Sequence, residues 1–172
     1  MLNISEYGHR AWEDGTPLLT PAAVEYLGEV ITPRFWVFEW GAGGSTVWFA
    51  RHAGRVVSVE HQRGWYDKVA DRLAEEGLQD AVRLHLVPLN SRAYAGLIKV
   101  YSLGTFDLVL VDGRARVACM TEARGMVKPG GMLVLDNADR VDRYARGIAL
   151  LSGWKRVDFP DLWLTSIFIK PD

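Results

Sequence analysis

A chain of 172 residues, 49% hydrophobic and 24% charged, is long enough for one domain with a substantial core and has an ordinary globular composition. Its formal net charge of −1 excludes a general attraction to nucleic acid or to an anionic membrane surface. No apolar run approaches the roughly 20 residues that cross a bilayer, the single Cys119 excludes an internal disulfide, and Met1 to Arg10 lack the apolar core of a signal peptide, so the expected location is the cytoplasm.

Thr20-Pro21-Ala22-Ala23-Val24-Glu25 reads as an N-cap, a proline in the first helical turn and then helix. It lies within an N-terminal helical cap segment, residues 1–35. From residue 36 onward strand-like and helix-like runs alternate, as a parallel α/β sheet requires. Strands are expected over Trp36 to Trp40, Val56 to Glu60, Val82 to Val87, Phe106 to Val111 and Met132 to Leu135. The fourth is nearly all apolar, which suits a central parallel strand. Helices are expected near Ser45 to His52, Gly64 to Glu76 with Gly77 as C-cap, Arg92 to Tyr101, Ala115 to Val127 and Ala138 to Leu151. Lys128-Pro129-Gly130-Gly131 is expected to break the chain just before the fifth strand. Lys155 to Phe159 and Leu164 to Lys170 are β-like and separated by Pro160-Asp161, with no room for a helix, so an antiparallel hairpin is expected. No internal repeat or low-complexity segment interrupts this order, and residues 36–172 form the main unit of a single compact domain.

The first strand runs into Val37-Phe38-Glu39-Trp40-Gly41-Ala42-Gly43-Gly44-Ser45-Thr46. An apolar run bears an acid near its end, a small-residue loop follows, and Ser45-Thr46 start a helix. Glycines in such a loop remove side chains where a ligand approaches and tolerate positive φ, and the helix start offers free N–H groups. Dinucleotide binders read G-x-G-x-x-G here. This frame is Gly41-x-Gly43-x-x-Thr46, without the third glycine, and Glu39 would repel a pyrophosphate. S-adenosylmethionine, with an ammonium, a sulfonium and no phosphate, suits the acid better. Glu60 ends the second strand 21 positions after Glu39, where a carboxylate can accept both ribose hydroxyl hydrogens. That spacing also occurs in NAD binders, so Glu60 supports a nucleoside without choosing between the cofactors.

The glycine loop, Glu60 and the C-terminal hairpin together resemble the class I S-adenosylmethionine-dependent methyltransferases over roughly residues 36 to 170. The resemblance implies a Rossmann-like three-layer α/β sandwich. Its seven-stranded, mostly parallel sheet has the order 3-2-1-4-5-7-6, with the seventh strand antiparallel. It also implies cofactor contacts by Glu39, Gly41, Ala42, Gly43, Ser45, Thr46, Glu60, His61, Asp112 and Gly113. Asn90 and Ser91 fall in the stretch that lies near the adenine in the family; Asn90 either reads the base edge or caps the next helix.

Ligands of open α/β sheets bind beyond the carboxyl ends of the strands. The fourth strand is followed by Asp112-Gly113-Arg114-Ala115-Arg116 and the fifth by Asp136-Asn137-Ala138-Asp139-Arg140. Asp112 and Asp136 are therefore the candidate catalytic residues. With Asn137 they form an oxygen donor set suited to Mg²⁺. This set also resembles the divalent-metal-dependent O-methyltransferases of the catechol type, where the ion lowers the pKa of substrate hydroxyls. The alternative is that Asp136 or Asn137 caps the following helix. That family carries a lysine where Ala115 stands, and Arg114 stays protonated and cannot replace it as a base. Arg114, Arg116 and Arg140, with Arg143, are candidates for binding an anionic acceptor, unless Asp139 and Asp142 pair with them. Cys119, between Val117 and Met120, reads as a buried packing residue.

The expected function is thus S-adenosylmethionine-dependent methylation of a polar or anionic small molecule at oxygen, without a nucleic-acid or membrane partner. Two other readings stand beside it. One is a nucleic-acid or protein methyltransferase, against which the missing basic arm and Asp112-Gly113-Arg114-Ala115, in place of an Asn-Pro-Pro-Tyr-type tetrapeptide, both argue. The other is a non-catalytic cofactor-binding scaffold, with Tyr7, Trp12, Trp154 and Trp163 either marking an interface or buried within the cap and hairpin. Assembly with a second copy is left open by the sequence.

Overall fold

The structure, a computed structural model, describes residues 4–90 and 92–172. Two helices, α1 (Ile4–Asp14) and α2 (Pro21–Val30), precede a regular alternation. It runs β1 (Trp36–Trp40), α3 (Gly44–His52), β2 (Arg55–Glu60), α4 (Arg63–Glu75), β3 (Val82–Leu86), α5 (Ala93–Gly96), β4 (Phe106–Val111), α6 (Arg116–Ala123), β5 (Val127–Leu135) and α7 (Val141–Ala149). The hairpin β6 (Lys155–Pro160) and β7 (Leu164–Ile169) closes the chain. The seven strands lie in the order β3-β2-β1-β4-β5-β7-β6, parallel except for the β5–β7 and β6–β7 pairs. This is the architecture expected from the resemblance, and among the described residues no helix is long and apolar enough to cross a membrane.

Both faces of the sheet are covered, so the central strands are apolar on both sides. Val37, Leu108, Leu110 and Val134 pack beneath α2 and α3 with Ala23, Leu27 and Phe49. The alternating residues Phe38, Val109, Val111 and Leu133 pack on the opposite face with Tyr94, Ile98, Met120 and Leu151. Val69 and Leu73 of α4 meet Val47 and Ala50 of α3 in a third cluster. Register places Trp40 beside Val59 and Val111, and Val111 beside Leu135. The carboxyl ends of β1, β2, β4 and β5 therefore reach one edge together, and every candidate loop leaves from that edge.

Four local expectations are corrected. The Lys128-Pro129-Gly130-Gly131 stretch does not precede β5 but lies inside it. The strand starts at Val127, and a register shift between Phe106–Val127 and Leu108–Met132 absorbs the irregularity, with Gly130 at φ +69°. The expected helix from Arg92 is only a single turn followed by a 3₁₀ turn at Leu97–Val100, where Gly96 weakens continuation. The helix after β4 is shorter at both ends because Ala115 is left-handed (φ +50°) and Met126 already pairs with Phe106. The helix after β5 starts late because Asn137 turns the chain at φ +51°. Thr20 does precede α2, with Pro21 in the first turn, but its side chain makes no capping bond. Its N–H donates instead to Thr165 Oγ1 at 3.1 Å.

The four half-buried aromatics pack within the fold. Tyr7 lies against Trp163 and Trp12 against Trp65, and Trp154 packs on the core. The C-terminal turn of α1 is clamped by two cations: Arg51 donates to the carbonyls of Asp14 and Gly15, and Arg72 to those of Trp12 and Glu13. The chain there runs so close to α3 that a Cβ on Gly44 would meet the carbonyl oxygens of Thr16 and Ala11. Gly64, by contrast, has no neighbour within 4 Å and sits in the first turn of α4. Gly44→Ala should therefore cost about 1–3 kcal/mol, and Gly64→Ala should gain roughly 0.5–1 kcal/mol, both read from denaturant unfolding midpoints. Equal effects at the two sites would show that the α1–α3 approach is not as close as described.

Candidate active site

The turn after β1 is organised by Glu39. Its side chain is fully buried, and a carboxylate out of water needs donors. It finds them in the first turn of α3: Ser45 Oγ donates to Oε2 at 2.7 Å and Thr46 Oγ1 to Oε1 at 2.5 Å. Thr46 Oγ1 also accepts the Gly43 N–H at 2.9 Å, so one threonine links the acid to the loop. Burial pushes the Glu39 carboxyl up to about 7, against the lowering effect of the Thr46, Ser45 and Ser58 hydroxyls. Glu39 and Thr46 thus sit behind the glycine turn and shape it, rather than forming the wall of a ligand site. Gly41 is required by geometry: its φ is +97°, and a Cβ there would lie 2.9 Å from the Gly113 main chain. The β1 and β4 loops touch backbone to backbone.

At the end of β2, Glu60 Oε1 accepts the His61 and Gln62 backbone N–H groups at 2.6 and 2.7 Å, and His61 Nδ1 lies 2.9 Å from the same oxygen. All these contacts fall on Oε1, so among the described residues Oε2 is left as a spare acceptor. Trp65, on α4, donates its indole N–H to the Ala42 carbonyl at 2.5 Å. That bond ties the helix to the glycine turn and puts the indole on the site wall.

Between β4 and β5 the organising group is Arg116, whose side chain is only 9% exposed. Its guanidinium donates to Asp112 Oδ1 at 2.9 Å and to the main-chain oxygens of Asp112, Gly113 and Asp136. Its planar fork therefore fastens the two strand ends to each other. Asp112 is held well above the usual carboxylate range by burial and by the neighbouring Asp136 charge, with Arg116 opposing. Asp136 is raised too, chiefly by burial, while its Oδ1 accepts from Trp163 Nε1 at 2.7 Å and Thr165 Oγ1 at 2.9 Å.

Both acids of the expected Mg²⁺ set are already engaged through one oxygen. Asp136 Oδ1 already takes two hydrogen bonds, Asp112 Oδ1 faces a guanidinium, and a hard ion needs near-octahedral free oxygens. Among the described residues no group of three or more His, Cys, Asp or Glu is placed to hold a metal ion.

These loops enclose a cleft of about 680 Å³, within the usual range for ligand pockets. Of the sequence candidates, Gly41, Ala42, Glu60, His61, Asp112, Gly113, Arg114, Arg116 and Arg140 line it together. Gly43 and Ser45 instead line a smaller cavity of about 270 Å³ beneath α1, which shares Gly41, Ala42, Trp65 and Asp112 with the cleft. Asn90 is exposed on the turn after β3, away from both; Ser91 lies outside the described residues. Asp136 and Asn137 stand behind the wall. Cys119 is fully buried, its thiol pushed up to about 12 by burial. Gln62 and Tyr144 also line the cleft without having been singled out from sequence. The available signal was position: Gln62 follows the strand-end acid, and Tyr144 falls one helical turn after Arg140.

Residues 38–138 match a family described as a methyltransferase domain, and the chain belongs to that family. Solved structures share the fold at low identity. The O-methyltransferase TomG from Streptomyces achromogenes, involved in tomaymycin synthesis and solved with S-adenosylmethionine, superposes with a TM-score of 0.71 at 22% identity, covering 98% of this chain and 89% of that one. A methyltransferase-like protein from Silicibacter pomeroyi gives 0.68 at 23%, covering 88% and 87%. An rRNA methylase from Streptococcus thermophilus gives 0.65 at 15%, covering 86% and 92%. No curated protein matches in sequence.

The raised Glu39 pKa has a testable sign. Unfolded, the carboxyl titrates near 4.5; folded, near 7. Between those values the folded state holds the extra proton, so this group's contribution to stability falls as pH rises and is lowest above about 7. The stability difference between Glu39→Gln and the wild type should therefore move in favour of the glutamine by about 3 kcal/mol from pH 4 to pH 8, as measured by urea denaturation. A difference that stays flat with pH would remove the claim.

Proposed function

We propose that the protein is an S-adenosylmethionine-dependent methyltransferase acting on a small polar molecule, at oxygen. The observation that carries this is one cleft at the carboxyl ends of the strands where three features meet: the Gly41 turn, the spare Oε2 of Glu60 and the Asp112 carboxyl. The cofactor fits this cradle: Glu60 Oε2 is an available acceptor for ribose hydroxyls, and Gly41 and Gly113 bring bare backbone to the wall. When bound, S-adenosylmethionine supplies an electrophilic methyl group on a sulfonium.

The chain's own contribution is position and proton handling. His61 and Trp65 wall the nucleoside side. Asp112 borders both cavities, where an acceptor and the cofactor's reactive end would meet. Its Oδ1 is fixed by Arg116, so Oδ2 is the atom that would take the proton from an acceptor hydroxyl. A carboxyl raised by burial is better matched to that task than an exposed one. No step calls for a metal, given how the donors of Asp112 and Asp136 are used.

The test is calorimetry with S-adenosylhomocysteine, followed by turnover on a panel of hydroxylated metabolites. Glu60→Ala should weaken S-adenosylhomocysteine binding at least tenfold. Asp112→Asn should lower turnover about 100-fold, and EDTA should leave turnover intact. Absence of adenosyl-ligand binding would overturn the cofactor assignment. Methyl label appearing in RNA instead of a metabolite would overturn the acceptor class, and binding without any turnover would favour the scaffold reading.

A further inference from the structure

We propose that the arginine-bearing side of the cleft is an anion subsite, formed by Arg114, Arg140 and Arg143, and that the acceptor docks there through a carboxylate or phosphate group. This rests on the methyltransferase reading for the word acceptor, but the subsite itself stands on its own observations.

The three side chains come from two different strand ends. Arg114 follows β4, while Arg140 and Arg143 sit at the start of α7, yet all three line the one cleft. All are exposed, and none makes an ion pair with a described residue; the arginine ion pairs are those of Arg51, Arg63, Arg72, Arg116 and Arg156. Acids stand nearby without neutralising them. Asp139 accepts the Leu164 N–H at 3.2 Å, and neither it nor Asp142 lines the cleft. Arg116, the fourth guanidinium of the wall, is held inward on Asp112 and three carbonyls, so of the four arginines expected from sequence only Arg114, Arg140 and Arg143 remain for the subsite.

Charge balance points the same way. With Arg116 and Asp112 paired to each other, the cleft is lined by three further guanidiniums, Arg114, Arg140 and Arg143, and by one further carboxylate, Glu60. A sulfonium cofactor adds further positive charge. Like charges gathered at one wall repel one another, and an anionic group on the acceptor relieves that repulsion. Guanidiniums give carboxylate and phosphate bidentate donors. The anion is small, because the same 680 Å³ must hold the cofactor, and a chain with net charge −1 offers no continuing basic track for a polymer.

The experiment is calorimetric titration with inorganic pyrophosphate and, separately, citrate, on the protein with and without S-adenosylhomocysteine. Saturable binding of at least one anion is expected. It should weaken at least tenfold in each of the single variants Arg140→Gln and Arg143→Gln and stay within twofold in Arg146→Gln, which removes one positive charge from α7 outside the cleft wall. S-adenosylhomocysteine affinity should change less than twofold in each of these variants, which also reports that the cleft is intact. Preference for pyrophosphate would assign a phosphorylated acceptor, and preference for citrate a carboxylated one. No saturable binding, or an equal loss in Arg146→Gln, overturns the subsite. Failure of the wild type to bind S-adenosylhomocysteine would instead count against the underlying cofactor reading, and the titration of the free protein would still decide the subsite.

Discussion

Glu39 is fully buried, and a carboxylate removed from solvent must be met by donors or protonated. Ser45 and Thr46 meet it from the first turn of α3, and Thr46 in turn holds the Gly43 N–H. The path of the glycine turn follows from that arrangement. With the turn so placed, Gly41 lies against Gly113, the β1 and β4 loops close on one another, and Trp65 can reach the Ala42 carbonyl from α4. The acid that looks in sequence like a ligand contact is therefore one layer deeper, where it determines the shape of the surface that a ligand would touch.

A second buried charge plays the matching role on the other side. Arg116 draws the β4 and β5 strand ends together through three carbonyls and the Asp112 carboxylate. The two clamps divide the cleft between them: one fixes the backbone of the glycine turn, and the other fixes the Asp112 carboxyl. The loop between them carries a strained residue, Ala115 in the left-handed region, at a cost of roughly 1 kcal/mol. That conformation starts α6 at Arg116 and so aims the guanidinium inward.

The sheet was largely readable from residues 36 onward. Near-continuous apolar runs such as Phe106 to Val111 are set by burial on both faces, and burial writes itself plainly into composition. Boundaries were less readable wherever the deciding contact was distant. Val127 joins β5 because Phe106 pairs with it, and Pro129-Gly130 survive inside the strand because Lys170, just past β7, bonds Gly130 and Gly131 through its main chain. The site divided in the same way. Gly41, Glu60 and Asp112 stand at strand ends and were found by position. Which oxygen of Glu60 is engaged is set by the orientation of the neighbouring His61 and Gln62 N–H groups, and the inward turn of Arg116 by Asp112, Gly113 and the Asp136 carbonyl, details of geometry that residue types and spacing do not carry.

One hydrogen-bond path ties together residues from opposite ends of the molecule. The Thr20 N–H donates to Thr165 Oγ1, which donates to Asp136 Oδ1, beside Asp112. Thr165 belongs to β7, an inner strand inserted between β5 and β6, although it comes last of the seven strands in chain order. Until β7 has left the ribosome, β5 has no neighbour on that side, and the carboxyl pair lacks both Thr165 and Trp163. A nascent chain can close the glycine turn early, from local contacts, but must wait for its final segment before the acidic half of the cleft takes shape.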